Sequence, residues 1–267
     1  VRLEALEVAF AITCTGSGAA DLEQSVRAAW ERCLTERSDL PAPHERLTLL
    51  LDDDPQEIAV HGGDAELFGS DLATVMDRLS PLVTRLAVTE RRDDLTMFHA
   101  CAAADPETGA AAVLFGPSGT GKTTLAQALC RELVYLSDET AGVTAELEVV
   151  PYPKPLSILD RPGAALKSQV SPSQLGFLPG GPGPYPLRVL VELHRDPDHV
   201  GGVVLESLPT IEALPALVAQ TSFTRNMGRP LARLAAIAER VGGVRRVTYA
   251  ESADLLPVVR DLLREAG

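Results

Sequence analysis

The stretch AAAVLFGPSGTGKTTLAQAL, residues 110–129, decides how the chain is read. Six apolar residues suit a buried strand, a glycine-rich turn follows, and Leu125, Ala126 and Leu129 then recur at helical spacing. Gly116-x-x-x-x-Gly121-Lys122-Thr123 fits the P-loop pattern, and it sits between a strand and a helix as that mechanism requires. Its backbone is expected to turn N–H groups inward around a polyphosphate, at the positive end of the following helix. The predicted nucleotide cradle is Gly116, Ser118, Gly119, Thr120, Gly121, Lys122, Thr123 and Thr124. Lys122 is one of three lysines in a chain with 21 arginines. A compact ammonium can follow a moving phosphoryl group where a wide guanidinium fork cannot. The Thr123 hydroxyl suits Mg²⁺, which keeps several waters and bridges phosphates.

Around this centre lie 267 residues, 45% hydrophobic and 23% charged, enough for one large α/β domain or two unequal ones. A net charge of −13 speaks against broad binding of nucleic acid or an anionic membrane. No apolar run reaches the roughly 18 residues of a membrane span. No leader is expected, and Val1 in place of methionine predicts a trimmed start. Cys14, Cys33, Cys101 and Cys130 form no CxxC or Cys/His pattern, so reduced thiols in a cytoplasmic protein are expected.

Residues 1–94 read as a small α+β region. Strands are expected within 3–13 and 46–53, and helices over 21–34 and 71–90, the second kinked at Pro81. Asp52, Asp53 and Asp54 read as a solvated turn, because adjacent carboxylates in a strand point to alternate sides. Residues 95–267 read as the P-loop domain. Its expected strands are 95–104, 110–115, 134–137, 188–193, 201–208 and 244–249, with an extended stretch at 147–159. Its helices are 122–133, 211–221, 229–241 and 253–265. The Pro/Gly run 179–186 is expected to be a mobile loop, either folding over substrate or serving as a linker. The predicted fold class is mixed α/β, a central sheet with flanking helices.

Asp138 and Glu139 follow Lys122 by one helix and one short strand, and so emerge at the carboxyl edge of the sheet, where ligands of open α/β folds bind. The short spacing favours kinase-like chemistry, in which one carboxylate holds Mg²⁺ and the other accepts the proton of an attacking hydroxyl. Arg225, in SFTRNMGRP, is a candidate for neutralising the γ-phosphate. Lys154, between prolines in PYPKP, reads either as a phosphate or substrate contact or as a solvated loop lysine.

FHA (98–100), GPSGTGKTTLAQAL (116–129) and LSDET (136–140) resemble the bacterial HPr kinase/phosphorylase group. The phosphate-binding core of that group is similar to that of ATP-dependent phosphoenolpyruvate carboxykinase. The group's His-Gly pair stands here as His99-Ala100, and its Asp-Asp pair as Asp138-Glu139. The resemblance implies that His99 tunes or positions Asp138, that Asp138 is the proton acceptor, and that Glu139 is a magnesium-side carboxylate. A Glu-Val-Arg-Gly-Leu-Gly type segment, associated with phosphatase activity, is absent; Pro151–Ser157 stands in its place, so neither HPr as substrate nor phosphorolysis is implied. The expectation is an ATP- and Mg²⁺-dependent kinase acting on a hydroxyl of a protein, peptide or small molecule, with self-association implied by the resemblance. Two alternatives stand beside it: an ATP-binding regulatory module without transfer, and carboxykinase chemistry on oxaloacetate.

Overall fold

The computed structural model describes residues 1–35, 44–159, 161 and 163–266. The chain divides into two compact units, Val1–Arg91 with Pro153–Leu175, and Arg92–Tyr152 with Gly176–Gly267. The first unit therefore takes back a segment that the sequence reading gave to the P-loop domain.

In the first unit, β1 (Arg2–Ala5) and β2 (Val8–Thr15) form an antiparallel hairpin. β3 (Glu45–Leu51) and β4 (Leu67–Gly69) add in parallel, giving the order β1-β2-β3-β4. Helix α1 (Ala19–Ala29) buries Leu22 and Val26, spaced one turn apart as the sequence predicts. The acidic turn is structural. Asp52 accepts N–H bonds from Ser17 and Asp54, and these lower its carboxyl below the ordinary range, the Asp54 bond most. Asp54 caps α2 (Pro55–His61) through the Gln56 N–H. Helix α3 (Leu72–Glu90) is capped by Asp71 and carries Pro81 in its interior.

The second unit holds a sheet with nine described strands. β5 (Thr96–Phe98), β9 (Ala141–Val143) and β10 (Glu148–Val150) lead to the start of β13 (Tyr185–Arg195). The rest of β13 lies between β7 (Ala111–Phe115) and β15 (Val244–Tyr249), parallel to both. β6 (Ala100–Ala104) runs antiparallel between β7 and β8 (Val134–Ser137), and β14 (Val204–Leu208) pairs with β15 at the edge. β6 reads Ala-Cys-Ala-Ala-Ala and is completely enclosed. Its small side chains let helix α4 (Lys122–Leu129) pack close to the sheet, which fixes where the start of that helix points. α5 (Thr210–Ala219), α6 (Pro230–Arg240) and α7 (Leu255–Ala266) complete the helices of this unit. The remaining strands, β11 (Leu156–Ile158) and β12 (Ser168–Val170), pair as a hairpin in the first unit. The fold is thus mixed α/β, as the sequence predicts. Among the described residues, no helix is long and apolar enough to cross a membrane, and all four cysteines are free.

Of the two readings of the Pro/Gly run, its position disfavours the one in which it folds over substrate. Leu178 bridges to Val134, and a Cβ on Gly180 would fall 2.6 Å from Val134 Cγ1 and 2.5 Å from the Tyr185 hydroxyl. Tyr185 in turn donates to the Gly181 carbonyl. Val134 begins β8 and Asp138 follows its end, so the run is anchored at the opposite end of that strand from the carboxylates. It does not cover them.

Candidate functional site

The P-loop leaves the carboxyl end of β7. Gly116 is closed in: a Cβ there would meet Leu193 Cβ and the Leu193 carbonyl at 3.0 Å. Gly121 sits at φ +82 as the N-cap of α4, a left-handed conformation that side chains resist. The Lys122 side chain folds over the loop and donates to the carbonyls of Gly116 (2.9 Å) and Pro117 (3.2 Å). Burial lowers its pKa below the ordinary lysine value, opposed by the charges of Cys101, Glu139 and Asp138. Thr120 Oγ1 donates to the Pro117 carbonyl, and the Thr120 carbonyl accepts from the Tyr249 hydroxyl at 2.9 Å. Ser118, Gly119 and Thr124 form the exposed rim.

Asp138 is the hub. It is 3% exposed and both oxygens are engaged: Thr123 Oγ1 donates to Oδ2 at 3.1 Å and the Tyr135 hydroxyl to Oδ1 at 3.2 Å. The register explains this. Ala102 pairs with Ser137 and Ala103 with Tyr135, so Leu136 is an extra residue on β8. Such a bulge re-aims the end of a strand, here bringing Tyr135 and Asp138 within reach of each other. Burial raises the Tyr135 phenol well above its ordinary value, with the Asp138 charge adding to the effect, so the phenol remains a donor.

The expected strand 95–104 is interrupted at His99. On one side β5 pairs with β9, and on the other β6 pairs with β7 and β8. The His99 N–H donates to the Gln220 carbonyl (2.7 Å) and the Ala100 N–H to the Glu139 carbonyl (3.0 Å). Burial and then the Lys122 charge lower the imidazole pKa, against opposition from Glu139 and Asp138, so His99 is neutral near pH 7. Glu139 is half-buried, and its N–H donates to Ser137 Oγ.

The structure thus brings Lys122, Thr123, Asp138, Glu139 and His99 into one neighbourhood. Arg225 is not bonded into it. It is exposed on the turn after Thr221, which pairs with Phe98, and makes no hydrogen bond or ion pair among the described residues. Lys154 requires a correction. It is not held out toward a ligand but fully enclosed in the first unit, donating to the Pro155 carbonyl at 3.3 Å. Its charge opposes the rise that burial imposes on the Cys33 thiol. The chain re-enters the first unit at Pro153, and this carries the lysine inward. Tyr135 and Tyr249 were missed from sequence, since neither lies in a motif and the bulge at Leu136 leaves no mark in the residue pattern.

Residues fitted to hold a nucleotide are the loop amides and Lys122, and the Thr123–Asp138 pair suits a magnesium ion that keeps its waters. Among the described residues, no group of three or more His, Cys, Asp or Glu side chains forms a metal cage.

Comparison with known proteins adds the following. Residues 82–147 match the family model of phosphoenolpyruvate carboxykinase. No curated protein matches the chain. Among solved structures, the HPr(Ser) kinase/phosphatase from Coxiella burnetii is similar at 12% identity, over 63% of this chain and 94% of that one, with a TM-score of 0.31. The matched segment contains His99, the P-loop and Asp138-Glu139, in agreement with the resemblance carried by these motifs.

Proposed function

We propose that the chain is an ATP- and Mg²⁺-dependent kinase of the HPr kinase-like group, transferring a phosphoryl group to a hydroxyl of a protein, peptide or small molecule. The observation that carries this reading is the 3.1 Å bond between Thr123 Oγ1 and Asp138 Oδ2, which joins the P-loop hydroxyl to the expected proton acceptor. When bound, magnesium nucleotide supplies the transferable γ-phosphoryl group. Loop amides and Lys122 would bind and orient it, and Thr123 with Asp138, and Glu139 beside them, would hold the metal. Asp138 takes the proton of the acceptor hydroxyl, its carboxylate placed by the Thr123 and Tyr135 donors among others. A neutral His99 adds no cation that would draw Asp138 into an ion pair. Phosphoryl transfer demands mainly positioning and charge neutralisation, so these few groups suffice.

Lys122→Ala is expected to weaken ATP binding by about 100-fold in calorimetry, the scale of a lost charge-assisted phosphate contact. Asp138→Asn is expected to keep nucleotide binding and stop transfer. Unchanged affinity in the first variant, or full transfer in the second, would overturn the reading. Labelling a lysate of the source organism with γ-labelled ATP would identify the acceptor. The family match favours a second reading, carboxykinase chemistry. It predicts phosphoenolpyruvate from oxaloacetate, ATP and Mn²⁺, and its absence would remove that reading.

A further inference from the structure

We propose that Tyr135 is a positioning residue of this site, its hydroxyl fixing the Asp138 carboxylate in the orientation that Thr123 and the metal use. The inference rests on the reading of Asp138 as proton acceptor and metal neighbour. Tyr135 is enclosed, 1% exposed, with its ring against Phe177 at a centroid distance of 5.2 Å and an interplanar angle of 59°. Phenylalanine would fill the same space without burying a polar atom, and burying a phenol is unfavourable unless it is hydrogen-bonded. The bond formed is the 3.2 Å donation to Asp138 Oδ1.

With Thr123 on Oδ2, the two donors pin the carboxylate by both oxygens. Without the Tyr135 donation to Oδ1, the carboxylate is freer to swing about its last side-chain torsion, which is broad for Asp. Tyr135 removes that freedom. It acts through Asp138, and an extra strand residue, Leu136, makes the reach geometrically available.

The test uses the full chain with ADP and Mn²⁺ as the probe in place of Mg²⁺. Tyr135→Phe keeps the ring contact, so near-parental melting is expected, with metal-free ADP affinity unchanged. Electron paramagnetic resonance should show Mn²⁺ bound to the ADP complex about 5-fold more weakly. In an Asp138→Asn background, the same Tyr135→Phe change should have no further effect on Mn²⁺ affinity, the coupling expected of a residue that acts through its partner. Equal losses in both backgrounds, or no loss in either, would overturn the proposal.

If Tyr135→Phe melts early, 3-fluorotyrosine at position 135 replaces it. Its ¹⁹F resonance should move on Asp138→Asn and on adding Mg²⁺ with ADP, and a stationary line overturns the inference. Failure of the parent chain to bind ADP overturns the kinase reading and this inference with it. Normal binding with uncoupled Tyr135 overturns the inference alone.

Discussion

At Asp138 the chain assembles a buried carboxylate from three separate sources: a P-loop hydroxyl, a strand phenol and a strand end. The Thr123 contribution was legible, because the spacing from Lys122 requires one helix and one strand. The Tyr135 contribution was not, because an unmarked bulge decides which side chains share a face. His99 gives a pH prediction. Its pKa is lowered in the folded chain, so the unfolded chain takes up a proton first on acidification. Stability is therefore full above the ordinary histidine value of about 6.5 and falls as pH drops below it. Melting curves from pH 7.5 to 5 should show a smaller acid loss in His99→Gln than in the parent. Gly116→Ala puts a methyl 3.0 Å from the Leu193 carbonyl and should weaken ATP binding about 10-fold through a displaced loop.

Among elements, the P-loop is tied to β15 as well as to its own strand. Tyr249, at the end of β15, donates across 129 residues to the Thr120 carbonyl, and burial pushes its phenol up to about 12. Tyr249→Phe should loosen the loop, reduce ATP affinity several-fold and speed amide exchange at Ser118–Gly121, read by hydrogen-exchange mass spectrometry. Helix α3 offers a control away from the site. Asp71→Ala removes its N-cap bonds to Thr74 and should cost about 1 kcal/mol of stability with nucleotide affinity unchanged. Long periodic elements such as 72–90 were readable from sequence, as were strands 134–137 and 244–249. Breaks were less so. One apolar run became β5 and β6 because its halves pair with different strands, a tertiary choice that no local propensity encodes.

For the molecule as a whole, charge was the easiest property to read and contiguity the hardest. A net charge of −13 predicts no salt-sensitive DNA affinity, and a gel shift at physiological salt would contradict it. The sequence suggested a cut near residue 95, whereas Pro153–Leu175 packs with the first 91 residues. A fragment of residues 95–267 should therefore strip Lys154 and the β11–β12 hairpin of their surroundings. It should bind a hydrophobic dye and melt with poor cooperativity, measured against the full chain.

The divided first unit also orders events at the ribosome. Its last strand pair is translated only after the whole of α4 and β8 has been made, so the amino-terminal unit lacks part of its packing while residues 1–91 are the only part outside the exit tunnel. Nascent residues 1–91 must wait, unfinished, for a piece encoded on the far side of the phosphate loop. Maturation of the two units is thereby interleaved in time rather than sequential, and a pause in synthesis before residue 175 would hold the amino-terminal unit open to chaperones.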